Sequence, residues 1–245
     1  MIDHKTMLQL KRWNTPTIYN GWEMITNHPR TSHFNREPVV DYMPNMGSMV
    51  GRVITVVVEP SNSKHIENKT AWADYRQYVA SAAGPKIVVV QDKDKPYMIG
   101  AFWGEVNSNV HRLLGCVGTI CDGGIRDVDE MHNAGFKAIA RGLCVGHAYS
   151  YPVEWNVPVE VFGTKVKPGQ LIHADKHGFL VIPEEDEDRL LHASQFMDSN
   201  ECNTVIPAAR SGYGLPTNII LENLNEAFKK FGGNVQKELQ RQGEW

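Results

Sequence analysis

The stretch that decides the fold reads GEVNSNVHRLLGCVGTICDGGIRDVDE and spans residues 104–130. Apolar residues at helical spacing predict a helix over 105–114. A short apolar strand is predicted over 116–120, then a glycine turn at 122–124 and a second helix that begins at Asp127. This alternation of strands and helices is typical of an α/β layer.

The pattern extends outward from this stretch in both directions. Upstream it predicts helices over 3–12, from 15 onward and over 71–83, and strands over 53–58, 86–90 and 97–102. Downstream it predicts strands over 136–140, 157–161, 164–166, 171–174 and 179–182, an acidic-ended helix from 183, and a last helix over 218–242 interrupted at Gly232-Gly233. Residues 28–50 read as a long irregular segment.

Composition excludes several classes of protein. The net charge is −3, from 25 basic and 28 acidic residues, and the sequence shows no basic stripe of the kind that binds nucleic acid. The sequence contains no run of 18 apolar residues that would predict a membrane span, and its N-terminus lacks the apolar core of a signal peptide. The 4 cysteines form no CxxC pair, which favours free thiols in a reducing compartment. We therefore expect a cytoplasmic globular protein.

Polar residues follow two neighbouring predicted strands. Gly104-Glu105 joins a strand to a helix, and the amides of Val106 and Asn107 would be free at the helix start to hold a carboxylate or phosphate. Arg126-Asp127 occupies the next strand-to-helix turn. Because ligands of α/β folds gather where strands end and helices begin, the two turns predict one anion-and-metal site.

Simpler interpretations of these residues stay open at this point. Asp127 and Glu130 fit a capping box, in which Asp127 only caps a helix. Glu105 fits an ordinary acidic residue of a first helical turn, and Arg126 fits an ion pair with either acid. His111 lies one turn beyond the helix start, where a surface or core histidine is the more common case.

Gly104-Glu105, twenty intervening residues and Arg126-Asp127 resemble the signature of the RraA-like family. This family includes class II pyruvate aldolases that act on 4-hydroxy-4-methyl-2-oxoglutarate and 4-carboxy-4-hydroxy-2-oxoadipate. Further blocks follow in the family's order, at residues 15–18, 51–55, 121–129, 157–159, 166–169, 174–178 and 181–183. The sequence departs from the family pattern where it carries Glu105, Asn20, Gln170 and Asn107, and these departures concern the substrate more than the fold.

The resemblance implies an α/β fold, a layered ββα sandwich of the swivelling phosphohistidine-domain type with extra N- and C-terminal helices. It implies one domain over residues 1–245, with a core at about 10–195 and a C-terminal helical extension over 196–245. It also implies a homotrimer or hexamer.

The resemblance further implies that Asp127 binds Mg²⁺ or Mn²⁺ and that Glu105 contacts the ion through water. Arg126, with Gly104 and the amides that follow it, would hold the carboxylate of a 2-oxo acid. The implied reaction is retro-aldol cleavage of a 4-hydroxy-2-oxo acid to pyruvate, with oxaloacetate decarboxylation at the same site. Two alternatives stay open: action on a sugar- or aromatic-derived keto acid, and a non-enzymatic ribonuclease-binding regulator. The Arg126-Asp127 pair favours an enzyme.

Overall fold

The computed structural model describes residues 2–241. Helices α1–α8 of this part of the chain span His4–Leu10, Thr15–Glu23, Ala71–Ser81, Glu105–Leu113, Val128–Asn133, Glu187–Asn203, Val205–Ser211 and Thr217–Leu239. Strands β1–β11 span Val40–Asp41, Met49–Val58, Lys86–Asp92, Ala101–Trp103, Cys116–Ile125, Lys137–Leu143, Glu154–Trp155, Val159–Val161, Thr164–Val166, Leu171–Asp175 and Gly178–Ile182.

The central sheet has the strand order β1-β6-β5-β3-β2-β10-β11, and β4 pairs with β5 while β7 pairs with β2. The neighbours β2, β3, β5 and β6 run parallel, as the predicted strand–helix alternation requires. The outer pairs β1–β6, β2–β10 and β10–β11 are antiparallel, and β8 and β9 form a separate hairpin. The mixed sheet explains the β-rich character of the sequence after residue 157.

The two faces of the sheet are covered by different layers. Ile54 and Val88 face one cluster, which includes Tyr75 of α3 and Met131 of α5. Their neighbours Val53, Val57, Ile87 and Val89 face a second cluster, which includes residues of β8–β11. Because successive side chains of a strand point to opposite faces, this alternation gives a sandwich with helices on one side and strands on the other. The predicted layered ββα fold is confirmed.

The irregular segment 28–50 connects the two ends of the sheet. His33 accepts a hydrogen bond from the amide of Val181 in β11, and Phe34 forms an isolated bridge with Leu180. A few residues later, β1 pairs with β6 at the opposite end. The segment therefore spans from one sheet edge to the other and nearly closes the sheet, which leaves few unpaired strand edges in this part of the chain.

Three local predictions were wrong. Residues 122–124 do not form a turn, because β5 continues to Ile125. The strand predicted over 97–102 begins only at Ala101. The last helix runs without a break through Gly232-Gly233, where no other atom lies within 4 Å of an added Cβ.

The described residues pack into two compact units. One contains residues 2–15 and 31–184 and holds the sheet, and the other contains residues 16–30 and 185–241. The second unit is helical and is centred on Met24, Met197, Phe231 and Val235. The extra terminal helices are confirmed, whereas the single-domain organisation stays a prediction. None of the helices described is long and apolar enough to cross a membrane.

Candidate active site

Parallel pairing of β4 with β5 brings the two predicted turns together. Ala101 lies opposite Gly124 and Trp103 opposite Ile125, and the Arg126 amide donates to the Trp103 carbonyl at 3.1 Å. Both strands end at the same edge, so Gly104-Glu105 and Arg126-Asp127 follow them side by side. This is the arrangement that places ligands at strand ends in α/β folds.

Asp127 occupies the N-cap position of α5, where its carbonyl accepts the Met131 amide at 2.9 Å, but its side chain does not cap the helix. Its backbone is left-handed, with φ +53°, a conformation that aspartate tolerates better than most residues. Its side chain makes no capping hydrogen bond to α5, and Oδ2 instead accepts the Glu105 amide at 3.1 Å. The capping-box interpretation is therefore wrong for the Asp127 side chain. The carboxylate lies at the N-terminus of α4, where the helix dipole favours negative charge.

The approach of the two turns depends on Gly104. A Cβ at this position would stand 2.6 Å from Asp127 Oδ2 and 3.3 Å from Arg126 Cγ. The backbone of Gly104 is extended, so the requirement for glycine comes from space and not from its dihedral angles. Gly104 thus allows the carboxylate to sit directly beside the start of α4.

Hydrogen-bond donors without a partner among residues 2–241 lie at the start of α4, next to this carboxylate's contact with the Glu105 amide. The helical hydrogen bonds of α4 begin with the Ser108 amide, which donates to the Gly104 carbonyl. The amides of Val106 and Asn107 come before it and have no carbonyl of a preceding helical turn to donate to. The Arg126 guanidinium donates to the Val145 carbonyl at 3.3 Å and lies 3.7 Å from Asp127 Oδ2. Half-exposed, it retains further N–H groups for a ligand.

These groups open into a cleft of about 650 Å³. All the sequence-predicted site residues line it: Gly104, Glu105, Val106, Asn107, Arg126 and Asp127. Trp103, which the sequence leaves open as either a pocket or a core residue, also lines the cleft. The remaining lining residues carry no sequence signal for this site: Ile66, Trp72, Arg76, Ala101, Phe102, His147, Ala148, Tyr149, Ser150 and Tyr151. No residue of segment 28–50 is among them.

Three polar atoms in the walls of this cleft are buried without a hydrogen-bond partner in the part of the chain described. They are Trp103 Nε1, Asn107 Oδ1 and Ser150 Oγ. The Asn107 amide nitrogen, by contrast, donates to the Phe102 carbonyl at 2.9 Å and fixes the β4–α4 turn. Unsatisfied buried polar atoms cost free energy, and a ligand that pairs with them is one explanation for their presence in a cleft.

His111 belongs to the core and does not line the cleft. Its ring is fully buried, with Nδ1 2.8 Å from the Asn107 carbonyl and Nε2 3.0 Å from the Tyr75 hydroxyl. Burial lowers the pKa of His111 to about 4, so the ring is neutral near pH 7. A surface or core histidine is the more common case at this position, and the structure shows a core histidine.

The carboxylates of the cleft suit a hard divalent cation whose remaining ligands are waters and substrate oxygens. Asp127 Oδ1 accepts no hydrogen bond from residues 2–241, and Glu105 lines the same cleft. No group of three His, Cys, Asp or Glu side chains within those residues has metal-binding geometry. One or two carboxylates completed by waters and substrate oxygens is the usual way that proteins hold Mg²⁺.

The profile of the RraA-like family, described as Aldolase/RraA, matches residues 15–181. The chain belongs to the RraA-like family. Among its relatives, Protein DlpA of Legionella pneumophila is 23% identical over 139 residues, which are 56% of this chain and 22% of that protein. A "Putative 4-hydroxy-4-methyl-2-oxoglutarate aldolase" of Halalkalibacterium halodurans is 26% identical over 140 residues, or 57% of this chain and 65% of that protein. The matches thus span less than two thirds of these relatives' lengths.

Solved structures share the fold of this RraA-like chain at low identity. An uncharacterized protein of Pseudomonas syringae pv. tomato has a TM-score of 0.70 and 18% identity, over 92% of this chain and 93% of that one. Streptomyces coelicolor RraAS2, described as an unusual member of the RNase ES inhibitor RraA protein family, has a TM-score of 0.65 and 20% identity, over 82% of this chain and 94% of that one. These similarities show the fold.

Proposed function

We propose that this RraA-like protein is a class II aldolase, a divalent-metal-dependent lyase that cleaves a 4-hydroxy-2-oxo acid to pyruvate. One observation carries the proposal: paired β4 and β5 place the Asp127 carboxylate, the Arg126 guanidinium and the free amides of α4 at one cleft. The relative named as a 4-hydroxy-4-methyl-2-oxoglutarate aldolase supports the same reaction class.

Asp127 and Glu105 are the residues that would hold Mg²⁺ or Mn²⁺, Asp127 directly and Glu105 through water. When bound, the cation stabilises the negative charge that develops on the 2-oxo oxygen of the substrate. Asp127 is suited to this role because its Oδ2 is oriented by the Glu105 amide while Oδ1 has no partner among the described residues.

Arg126 and the start of α4 would bind the C1 carboxylate of the substrate. The guanidinium offers paired N–H donors of the geometry that carboxylates prefer, and the amides of Val106 and Asn107 add the donors of a helix N-terminus. These contacts orient the substrate so that its C4 hydroxyl faces the carboxylates of the cleft.

Glu105 is our candidate for the base. Its carboxylate takes the proton of the C4 hydroxyl, the C3–C4 bond breaks, and C4 becomes a carbonyl group. The electron pair of the broken bond is shared between C3 and the 2-oxo oxygen, and transfer of the proton from Glu105 to C3 completes pyruvate and restores the Glu105 carboxylate. Loss of CO₂ from oxaloacetate leaves the same electron pair at C3, so we propose that the site also decarboxylates oxaloacetate.

A screen of 4-hydroxy-2-oxo acids and oxaloacetate, coupled to pyruvate detection, tests the proposal. With Mg²⁺ or Mn²⁺ the wild type should release pyruvate, and EDTA should abolish release. The variant Asp127→Asn keeps an oxygen for the Glu105 amide but removes the charge, and we expect a loss of about 10³-fold or more in kcat/KM. Undiminished activity in EDTA, or in a well-folded D127N, would overturn the metal mechanism.

The same preparation can separate the enzyme from a ribonuclease-binding regulator. A pull-down with ribonuclease E, run beside the pyruvate assay, should show no stable complex. Binding without pyruvate release from any member of the screen would favour the regulator. The predicted trimer or hexamer is measured on the same sample by light scattering.

A further inference from the structure

Arg76 places a second, unneutralised cation in the cleft. It lies one helical turn after Trp72 on α3, and its guanidinium carbon stands 5.0 Å from the centre of the Trp72 ring. No carboxylate of residues 2–241 lies within 4.0 Å of this guanidinium as an ion-pair partner. The indole face fixes the position of the charge but leaves the N–H edges of Arg76 available.

An aromatic wall connects Arg76 with the predicted catalytic groups. Trp72 stacks on Phe102 with ring centres 5.4 Å apart and planes 7° apart, and Tyr151 lies 6.1 Å from Trp72 on another side. Phe102 belongs to β4, which leads directly into Gly104. Arg76 and Arg126 are thus the two arginines that line the cleft, one above the aromatic wall and one beside Asp127.

The size of the cleft fits a ligand longer than pyruvate. Clefts of several hundred Å³ enclose molecules well above the size of a three-carbon acid, and this one measures about 650 Å³. Once Arg126 and the start of α4 hold the C1 carboxylate, the part of the substrate beyond C4 would lie along the remaining lining of the cleft, which includes the aromatic wall. A second anionic group there would meet Arg76.

We propose that Arg76 determines specificity by binding a second carboxylate, carried by the part of the substrate beyond C4. The inference rests on the proposed function and names the residue that would distinguish a dianionic from a monoanionic 2-oxo acid. A guanidinium held against an aromatic ring loses little freedom on binding, and it can form a bidentate pair with a carboxylate. Arg76 acts on binding of the distal group and takes no part in bond cleavage.

Two unreactive ligands of equal chain length test this assignment without turnover. 2-Oxoglutarate and 2-oxopentanoate differ only in their far end, which is a carboxylate in the first and a methyl group in the second. Isothermal titration calorimetry with Mg²⁺ present gives both affinities for the wild type and each variant. We expect the wild type to bind 2-oxoglutarate at least about tenfold more tightly than 2-oxopentanoate.

The variant Arg76→Gln should remove this preference. We expect its affinity for 2-oxoglutarate to fall about tenfold and its affinity for 2-oxopentanoate to stay within about twofold. Arg126→Gln should weaken both ligands, because both carry the C1 carboxylate. Arg210→Gln, which changes an exposed arginine of α7 in the other unit, is the matched control and should change neither.

The outcomes separate this inference from the proposed function. A selective loss of 2-oxoglutarate binding in R76Q supports Arg76 even if no 4-hydroxy-2-oxo acid releases pyruvate, in which case only the proposed reaction fails. An equal loss for both ligands would mean that Arg76 merely supports Trp72, and the inference would be overturned. A wild type without preference for the dianion would overturn it as well.

Discussion

Two arginine–aspartate pairs of the sheet-containing unit have the same chemistry in opposite surroundings. Arg126 and Asp127 lie 3.7 Å apart at the cleft, with side chains 37% and 38% exposed. Arg141 and Asp122 lie 2.6 Å apart within the sheet, and the Asp122 side chain is 0% exposed. The second oxygen of Asp122 accepts from Lys95 at 2.9 Å, so both of its oxygens are used.

The two pairs differ in how many of their hydrogen-bonding atoms remain without a partner in the protein. The buried pair is satisfied from all sides, as a buried charge must be if it is not to destabilise the fold. The cleft pair is loosely associated, and Oδ1 of Asp127 has no partner among residues 2–241. An incompletely satisfied pair at an open cleft is suited to a ligand, whereas a satisfied buried pair is suited to fixing strands.

The same substitution in both pairs should separate these roles, and its effect on stability is the largest we expect. Asp122→Asn leaves the charges of Arg141 and Lys95 without their buried counter-ion, and we expect a loss of about 3 kcal/mol in the free energy of unfolding. Asp127→Asn, at a half-exposed position, should change that free energy by no more than about 0.5 kcal/mol. Urea denaturation measures both.

Activity should show the reverse order. Assayed well below its midpoint of unfolding, D122N should keep its kcat/KM for pyruvate release within about threefold of the wild type, whereas D127N loses it. A D127N protein destabilised as much as D122N would contradict the comparison, because Asp127 would then be a structural residue as well.

The substitution Gly104→Ala tests whether the position of the Asp127 carboxylate in the cleft is critical for activity. Gly104→Ala would place Cβ 2.6 Å from Asp127 Oδ2, so the carboxylate must move. Because displacements of about 1 Å can cost about 10²-fold in rate, we expect kcat/KM to fall by about 10- to 100-fold with little change in stability. Gly146→Ala is the matched control, since nothing lies within 4 Å of a Cβ there. Equal activity in both variants would show that the position of Asp127 is not critical.

Local sequence signals predicted that the two strand–helix turns lie together, but they did not predict the full length of the strand that supports them. The strand–helix turns at 104–105 and 126–127 follow from short-range patterns, and parallel pairing brings them together as expected. Gly123-Gly124 looks like a turn but lies inside β5. A Cβ at Gly123 would stand 2.6 Å from Asp92 Oδ2, and one at Gly124 would stand 2.8 Å from Cys144 Cβ. Glycine is needed at these positions because residues distant in the sequence pack closely against the strand, and no local sequence pattern indicates such contacts.

The far part of the cleft was missed for the same reason. Trp72 and Arg76 come from a helix that precedes Glu105 by about thirty positions, and residues 147–151 come from a loop on the other side of β5. An arginine four residues after a tryptophan is an ordinary feature of a solvated helix face. That this face of α3 lines the cleft becomes visible only in the structure, where Trp72 stacks on Phe102.

The last effect that we predict appears only as the pH changes, and it concerns Asp92, which lies beside the buried pair. Burial, together with the nearby charges of Asp94 and Asp122, raises the pKa of Asp92 to about 7. The folded protein therefore binds a proton that the unfolded chain has released, over the range from about pH 4 to 7. The contribution of Asp92 to stability falls as the pH rises through this range, and it stays constant above it.

Asp92→Asn removes this dependence and retains an oxygen for the Asp94 amide, which Asp92 Oδ1 accepts at 2.9 Å. We expect D92N to gain about 1–3 kcal/mol over the wild type between pH 4 and pH 8, measured as the difference between their urea unfolding curves. Burial also lowers the pKa values of His111 and His173 to about 4, which removes stability as the pH falls from about 6.5 to 4. This opposite pH dependence is the same in the wild type and in D92N, so it cancels when one free energy of unfolding is subtracted from the other. A difference that does not change with pH would mean that Asp92 is already ionised in the folded protein at pH 4, and that the sheet accommodates this buried charge as fully as it does Asp122.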